Sequence, residues 1–319
     1  MTTTASGVSI RDDVESLPVI QAAALAEEAP DQRWLVEALW PAAAVGVVGG
    51  HPKVGKTWWG LDLAVSVASG TPCLGRFEVK RQARVLVYLA EDPAHAVRER
   101  INAIAQGRGV ALEGLDLHVI TMERLRLDTN DHKQRLDATL ARLKPKLLLL
   151  DPLVRMHNRD ENHSHELTPI LSSLRVLQRR HDIAIALVHH ARKNAHGHNH
   201  GQSLRGTGDI FAWADVLHYL NRESKGIRLT VEHRSAPAPD PVLLDLRGEP
   251  PRLESIEDSA TCEPTLQDRI LQTLARAEAP LRRTELRGLL AVNNKRLGDA
   301  IAALESLGRI RRTPDGWHS

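Results

Sequence analysis

Aromatic residues are scarce in this chain, at 3% of 319 positions. Its core must therefore be built from Leu, Val, Ile and Ala rather than from packed rings. Cysteine is nearly missing too. Cys73 and Cys262 alone cannot make a disulfide framework or a four-ligand zinc site, so a reducing, cytoplasmic setting is the expectation. No apolar run approaches the ~18 residues of a membrane helix. The first residues hold Asp12 and Asp13 but no apolar signal core. There are no internal repeats. A dominant charge is lacking as well: 42 Lys and Arg against 40 Asp and Glu give +2, which neither demands nor excludes a polyanionic partner. With 42% apolar and 26% charged residues, the chain is neither wholly disordered nor collagen-like. Its length fits one domain of about 200–250 residues with an appendage.

The organisation follows from hydrophobic period. Residues 1–30 are polar and Ala/Glu-rich and read as a flexible start, with a short helix over 17–28. Apolar runs without polar alternation predict strands at 45–49, 84–89, 118–121, 146–151 and 183–188, with further strands at 214–220 and 227–232. Helix-length segments separate the first five, at 57–69, 94–106, 131–143 and 166–181. That alternation means βαβ units and a mostly parallel sheet covered on both faces, which binds ligands beyond the carboxyl ends of its strands. The main body spans 31–248. Residues 249–263 read as a linker, and the pattern changes again over 264–319. That last segment holds ten Lys and Arg against six acids, a net of +4, on an otherwise slightly acidic chain.

Gly50-His-Pro-Lys-Val-Gly55-Lys56-Thr57 matches G-x-x-x-x-G-K-[ST] between a predicted strand and a predicted helix. A triphosphate concentrates negative charge. Successive backbone N–H groups can wrap it while the following helix aims its positive end at it. Gly55 permits close approach, Lys56 reaches the β- and γ-phosphates, and the Thr57 hydroxyl is placed to ligate Mg²⁺. Gly50, Pro52, Lys53, Val54 and Trp58 complete the expected ATP cradle.

Further polar groups follow the strands. Asp151 ends Leu147-Leu-Leu-Leu and is expected to hold Mg²⁺ through water, unless it merely caps an Asp-Pro turn. Glu91 ends the strand after the phosphate loop and is expected to polarise the attacking water. Its neighbour Asp92 is expected to cap the helix near Pro93. His190, ahead of His189, is the candidate sensor of the γ-phosphate. Arg205 and Arg234 are candidate arginine fingers, which stabilise charge in the transition state; a finger supplied by a neighbour implies a ring or filament.

Pro52-Lys-Val-Gly-Lys-Thr-Trp58, Tyr88-Leu-Ala-Glu-Asp-Pro93, Asp151-Pro-Leu-Val-Arg155, Asp160-Glu-Asn162, Val188-His-His-Ala-Arg-Lys193 and Leu204-Arg-Gly206 occur in this order. The set resembles the RecA-like ATPases of the plasmid RepA replicative-helicase type, often labelled AAA-family ATPases, over residues 33–248. The resemblance implies an α/β, RecA-like P-loop core and a ring, most often a hexamer, acting on single-stranded DNA. It implies Lys56 and Thr57 on phosphates and Mg²⁺, Asp151 at the second acidic position, Glu91 as catalytic glutamate and His190 where a sensor, commonly glutamine, stands. Val231-Glu-His-Arg-Ser-Ala236 is similar to the Lys-x-Arg element of hexameric helicases. Arg234 matches its arginine, and Glu232 stands where a lysine is often found. The stretch His196-Gly-His-Asn-His200 falls where RecA-like proteins carry a DNA-facing loop, with Arg192, Lys193 and Arg205 as candidate DNA contacts.

After residue 264, three short helices and two extended pieces around Pro314-Asp-Gly316 resemble a winged helix-turn-helix. Thr284 is a candidate cap for the second helix. Lys295 and Arg296 open the third and would face DNA; Arg311 would grip phosphate from the wing, and Trp317 would pack the wing onto the core. The whole reads as a Mg²⁺-dependent ATPase, a helicase-like DNA motor in replication or mobile-element maintenance. Two rivals remain open: an ATP-gated regulatory or recombination protein that does not unwind DNA, and a scaffold whose winged helix binds protein.

Overall fold

The computed structural model describes residues 17, 19–24, 33–159, 164–190, 208–256, 266–277, 279–290, 292–306 and 309–318. Where the sequence predicts a helix over 17–28, the described residues form only a 3₁₀ turn at Ala22–Ala24. A small antiparallel pair follows, β1 (Trp34–Val36) and β2 (Trp40–Pro41). The core then alternates strictly: β3 (Val45–Gly50), α1 (Lys56–Ser69), β4 (Val85–Leu89), α2 (Ala94–Gly107), β5 (Leu117–Val119), α3 (Asn130–Leu143), β6 (Leu147–Asp151), α4 (Ser164–His181), β7 (Ala184–His190) and a short α5 (Gly208–Trp213). Strands β8 (Val216–Glu223), β9 (Gly226–His233), β10 (Val242–Arg247) and β11 (Arg252–Ile256) close the sheet, with β9, β10 and β11 each antiparallel to the strand before it.

All nine strands from β3 to β11 form one sheet in the order β11-β10-β9-β8-β3-β7-β6-β4-β5. Strands β8, β3, β7, β6, β4 and β5 run parallel. Their side chains alternate between two apolar layers. Leu147 and Leu149 face the layer with α1 and α2, while Leu148 and Leu150 face the layer with α3, α4 and α5. Burial on both faces explains why these strands read as continuous apolar runs. The mixed α/β, RecA-like P-loop architecture expected from the sequence is thus present.

The sheet extends further than the sequence suggests. Strand β11 pairs with β10 through Leu243↔Ile256, so residues 252–256 of the segment 249–263 are sheet rather than linker. Polar residues and Pro250–Pro251 obscure it, because an edge strand has one partner and tolerates such residues.

Beyond residue 265 stand α6 (Leu266–Arg276), α7 (Arg283–Leu290), α8 (Asn294–Ser306) and the hairpin β12 (Arg311–Thr313) with β13 (Gly316–His318). They share their own core, including Ile270, Leu286, Leu297, Ile301 and Ile310. Trp317 packs against it and donates from Nε1 to Glu305 Oε1 at 2.7 Å. Thr284 is not the cap of α7, since it lies inside the helix. Arg282 precedes the helix, and its N–H is taken by Glu285 Oε2 at 2.6 Å, half of a capping box.

Candidate active site

The loop between β3 and α1 is set by two glycines. Gly50 has φ +152°, and a Cβ there would lie 2.4 Å from the Leu220 carbonyl oxygen on β8. Gly55 has φ +103° and precedes α1 without any side-chain cap. The first N–H groups of that helix are therefore left to a ligand. Both positions exclude other side chains, the first by contact and the second by conformation.

A cavity of about 360 Å³ opens over this loop. Lys53, Gly55, Lys56, Thr57 and Trp58 line it from the loop side, and Glu91, Asp92 and Asp151 from the ends of β4 and β6. His190 lines it from β7. Register explains the convergence. Gly50 pairs with His190, Leu89 pairs with Asp151, and β7 lies between β3 and β6. Parallel strands end together, so their following residues meet at one edge of the sheet. Gly50, Pro52 and Val54 do not line the cavity. Gly50 accepts from Lys56 Nζ at 3.0 Å, Val54 is buried beneath the loop, and Pro52 faces outward.

Burial shapes the charges. Lys56 is held down to about 8 by desolvation, partly offset by Asp151 and Glu91 nearby. Its ammonium donates to the Gly50 and His51 carbonyls at 3.0 and 2.8 Å. Asp151 is pushed up to about 6 by burial, with the Thr57 hydroxyl acting against that rise. Its Oδ2 is buried with no hydrogen-bond partner among the described residues. An orphaned carboxylate oxygen beside a threonine hydroxyl offers oxygen donors that suit a hard divalent cation carrying phosphate and water ligands, and the lysine ammonium beside them suits the phosphates. Among the described residues, no group of three or more His, Cys, Asp or Glu could hold a metal by itself.

Other expected roles move. Asp92 does not cap α2. Pro93 occupies the cap position, and Asp92 instead pairs with Arg100 at 2.5 Å. Arg100 also lies over the Trp58 ring at 5.7 Å and lines the cavity. Glu91 accepts from Arg155 Nε at 2.6 Å. Arg222, Ile227, Leu246 and Leu253 close the cavity from β8 to β11. The sequence alone assigns no role to Arg100, Arg155 or Arg222, because only pairing across the fold brings them in.

Arg234 is far from this cavity. It follows β9, whose end pairs with the start of β8 through His233↔Val216. That is the edge where β3 begins. Five residues along β3 separate it from Gly50, about 16 Å at strand rise. There Arg234 Nη1 meets Asp215 Oδ1 at 3.3 Å, and Nη2 donates to the Ala212 carbonyl. Arg192, Lys193 and Arg205, with the histidines of 196–200, lie outside the described residues. So do the side chains of Lys295 and Arg296, although both sit in α8. Arg311 is exposed on β12.

Comparison with known proteins adds the family. The AAA domain family (AAA_25) matches residues 11–196. The chain belongs to the AAA domain family. It is an ATP-hydrolysing P-loop enzyme. The matched span contains Lys56, Glu91, Asp151 and His190, and ends before Arg234 and the C-terminal helices. Among solved structures, the chain resembles an ATPase domain at 13% identity and a TM-score of 0.51, covering 67% of this chain and 85% of that one. It also resembles a DnaB-like replicative helicase, from a structure concerned with its interactions with primase, at 14% identity and a TM-score of 0.50. That match covers 68% of this chain and 58% of the helicase. At such identities the likeness carries the fold. No helix among the described residues is long and apolar enough to cross a membrane.

Proposed function

We propose that this AAA domain protein is a Mg²⁺-dependent, ring-forming ATPase that works on DNA as a helicase-like motor. The observation that carries the reading is the buried, unpartnered Oδ2 of Asp151 facing Thr57 and Lys56 over the phosphate loop. Mg²⁺ would be held by Thr57 and, through water, by Asp151; when bound it neutralises charge developing on the phosphates. Lys56 exchanges its loop carbonyls for phosphate oxygens. Glu91 orients a water for in-line attack on the γ-phosphorus. The bond to the β–γ bridging oxygen breaks, and ADP and phosphate leave. His190, which pairs with Gly50 and lines the cavity, would sense the γ-phosphate. The apolar wall of Ile227, Leu246 and Leu253 offers a surface for the base.

Arg234 supports assembly. It lies at the sheet edge opposite its own phosphate loop, so its route to a γ-phosphate is through a neighbouring subunit. A head-to-tail contact of that kind closes into rings when its rotation permits; a hexamer is the expected form. The likeness to a DnaB-like replicative helicase supports a motor on single-stranded DNA, in replication or mobile-element maintenance. Three helices and a hairpin around one core support a winged helix at the C-terminus, with Lys295, Arg296 and Arg311 toward phosphates.

The test is a pair of variants. Lys56→Ala should lose nucleotide binding and turnover together. Glu91→Gln should keep ATP binding by calorimetry and lose hydrolysis. Normal hydrolysis by Glu91→Gln would refute the assignment of Glu91.

A further inference from the structure

Two arginines hold the two acids that follow β4, and they do so from different places. Arg100 pairs with Asp92 from within the cavity wall, where it also lies over Trp58. Arg155 pairs with Glu91 but does not line the cavity. Its guanidinium is 63% exposed, and the carboxylate it holds is 45% exposed. Glu91 lines the cavity, yet its ion pair with Arg155 pulls on it from outside.

The backbone makes this arrangement specific. The Ala90 N–H donates to the Asp151 carbonyl at 2.7 Å, so Glu91 begins where pairing between β4 and β6 ends. Arg155 stands in the short 3₁₀ turn Leu153–Met156, with one residue between that turn and Asp151. The Arg155 N–H closes that turn on the Pro152 carbonyl at 3.1 Å. The same short segment thus carries the metal-facing carboxylate at its start and the hold on Glu91 four residues later.

We propose that Arg155 is a positioning residue that restrains Glu91, keeping its carboxylate at the rim of the cavity until the pair opens for turnover. The proposal rests on the reading of Glu91 as the water-orienting group. An acceptor oxygen engaged by a guanidinium at 2.6 Å cannot at the same time take a water proton along that lone pair. Glu91 already lines the cavity, so opening of the pair need only free that oxygen. The hold is light: exposed ion pairs are worth a factor of about two to five in an equilibrium. It therefore slows turnover without preventing it, and it acts on kcat rather than on nucleotide binding.

The experiment measures steady-state ATP turnover of the full chain for Arg155→Gln and Arg155→Met, alone and combined with Glu91→Gln. Release of the restraint should raise kcat about two- to five-fold with KM for ATP near wild type. Arg155→Lys, which keeps the charge, should return kcat toward wild type. In the Glu91→Gln background, loss of Arg155 should change nothing. Melting temperatures near wild type, expected for an exposed side chain, confirm that the variants are folded. An unchanged or lowered kcat in both Arg155 variants, with Glu91→Gln inactive, overturns the restraint and leaves Glu91 in its role. Full turnover by Glu91→Gln overturns the role of Glu91, and the restraint falls with it.

Discussion

Two aspartates stand at opposite edges of the same sheet, and their surroundings differ in kind. Asp215, just ahead of β8, is saturated. Its carboxylate accepts from Arg175 Nη1 at 2.5 Å and from the Val45 N–H at 3.1 Å, and meets Arg234 at 3.3 Å. Its own N–H donates to the Val45 carbonyl at 2.8 Å. Asp151, ending β6, is buried with one oxygen that nothing among the described residues satisfies. Both close a strand end, but only one is complete. A buried polar group without a partner costs free energy, so its persistence at the phosphate-loop edge marks a site that a ligand completes, whereas full pairing at the far edge marks structure. The contrast also bears on the proposed role of Arg234: held at the structural edge by Asp215, it would serve the functional edge of a neighbouring subunit in the proposed ring.

The largest effect should come from breaking that offer. Arg234→Ala should lower turnover by about 10³–10⁵, the usual worth of an arginine finger, while leaving binding of ATP to the variant's own loop intact. Mixing it with inactive Lys56→Ala should restore part of the activity, because the intact loop of one chain meets the intact arginine of the other. A mixture as inactive as its components, or an Arg234→Ala rate equal to wild type, removes the in-trans arginine.

The two aspartates should then differ in the sign of their effect on stability. Asp151 sits near 6 in the fold against an ordinary 3.8. A carboxylate raised in this way adds stability at low pH, and that contribution is lost as pH rises from about 4 through about 6. At pH 7 the buried charge costs the nucleotide-free protein on the order of 2–3 kcal/mol, taking 1.36 kcal/mol per unit. Asp151→Asn should therefore abolish turnover yet melt higher than wild type without nucleotide, with a flatter pH dependence of melting between about 4 and 6. Asp215→Asn should melt lower, by roughly 1–2 kcal/mol, because it leaves Arg175 and Arg234 without their shared carboxylate. Thermal unfolding of both variants from pH 4 to 8 decides it; equal signs would erase the distinction between the edges.

Much of the functional edge is legible in the sequence because it obeys short-range rules. The phosphate loop is eight consecutive residues, and Asp151 and Glu91 each end an apolar run. Strand period alone places those residues at one edge once the sheet is parallel. Sequence and structure part where a distant group competes. Asp92 has the local look of a cap, but Arg100, two helical turns on, takes its carboxylate, and Pro93 occupies the cap position. Thr284 has the same look, but the helix starts two residues earlier than that cap would require, and Glu285 satisfies the N–H of Arg282. Arg155 and Arg222 carry no local signal, since their relation to the site depends on which strands are neighbours. Strands β10 and β11 are blurred because an antiparallel sheet edge lacks the continuous apolar run that β3 and β6 show.

The smallest effect sharpens the comparison from the cavity side alone. Lys56 is held down to about 8 and Asp151 pushed up to about 6, both chiefly by burial. The pair therefore has its useful charges, ammonium and carboxylate together, between those two values. Below about 6 the carboxylate takes a proton and would give up the hold on Mg²⁺ proposed for it. Above about 8 the lysine loses the charge that attracts phosphate. Affinity for Mg²⁺ with ATP should be highest from about pH 6 to 8 and fall by up to about tenfold per unit on either side. Lys56→Arg should keep the acidic limb and lose the basic one, because a guanidinium stays charged throughout. Asp151→Asn should bind weakly at every pH and show no acidic limb. Calorimetry across pH 5 to 9 reads these limbs directly, and an affinity flat through both values would mean that neither buried charge meets the nucleotide.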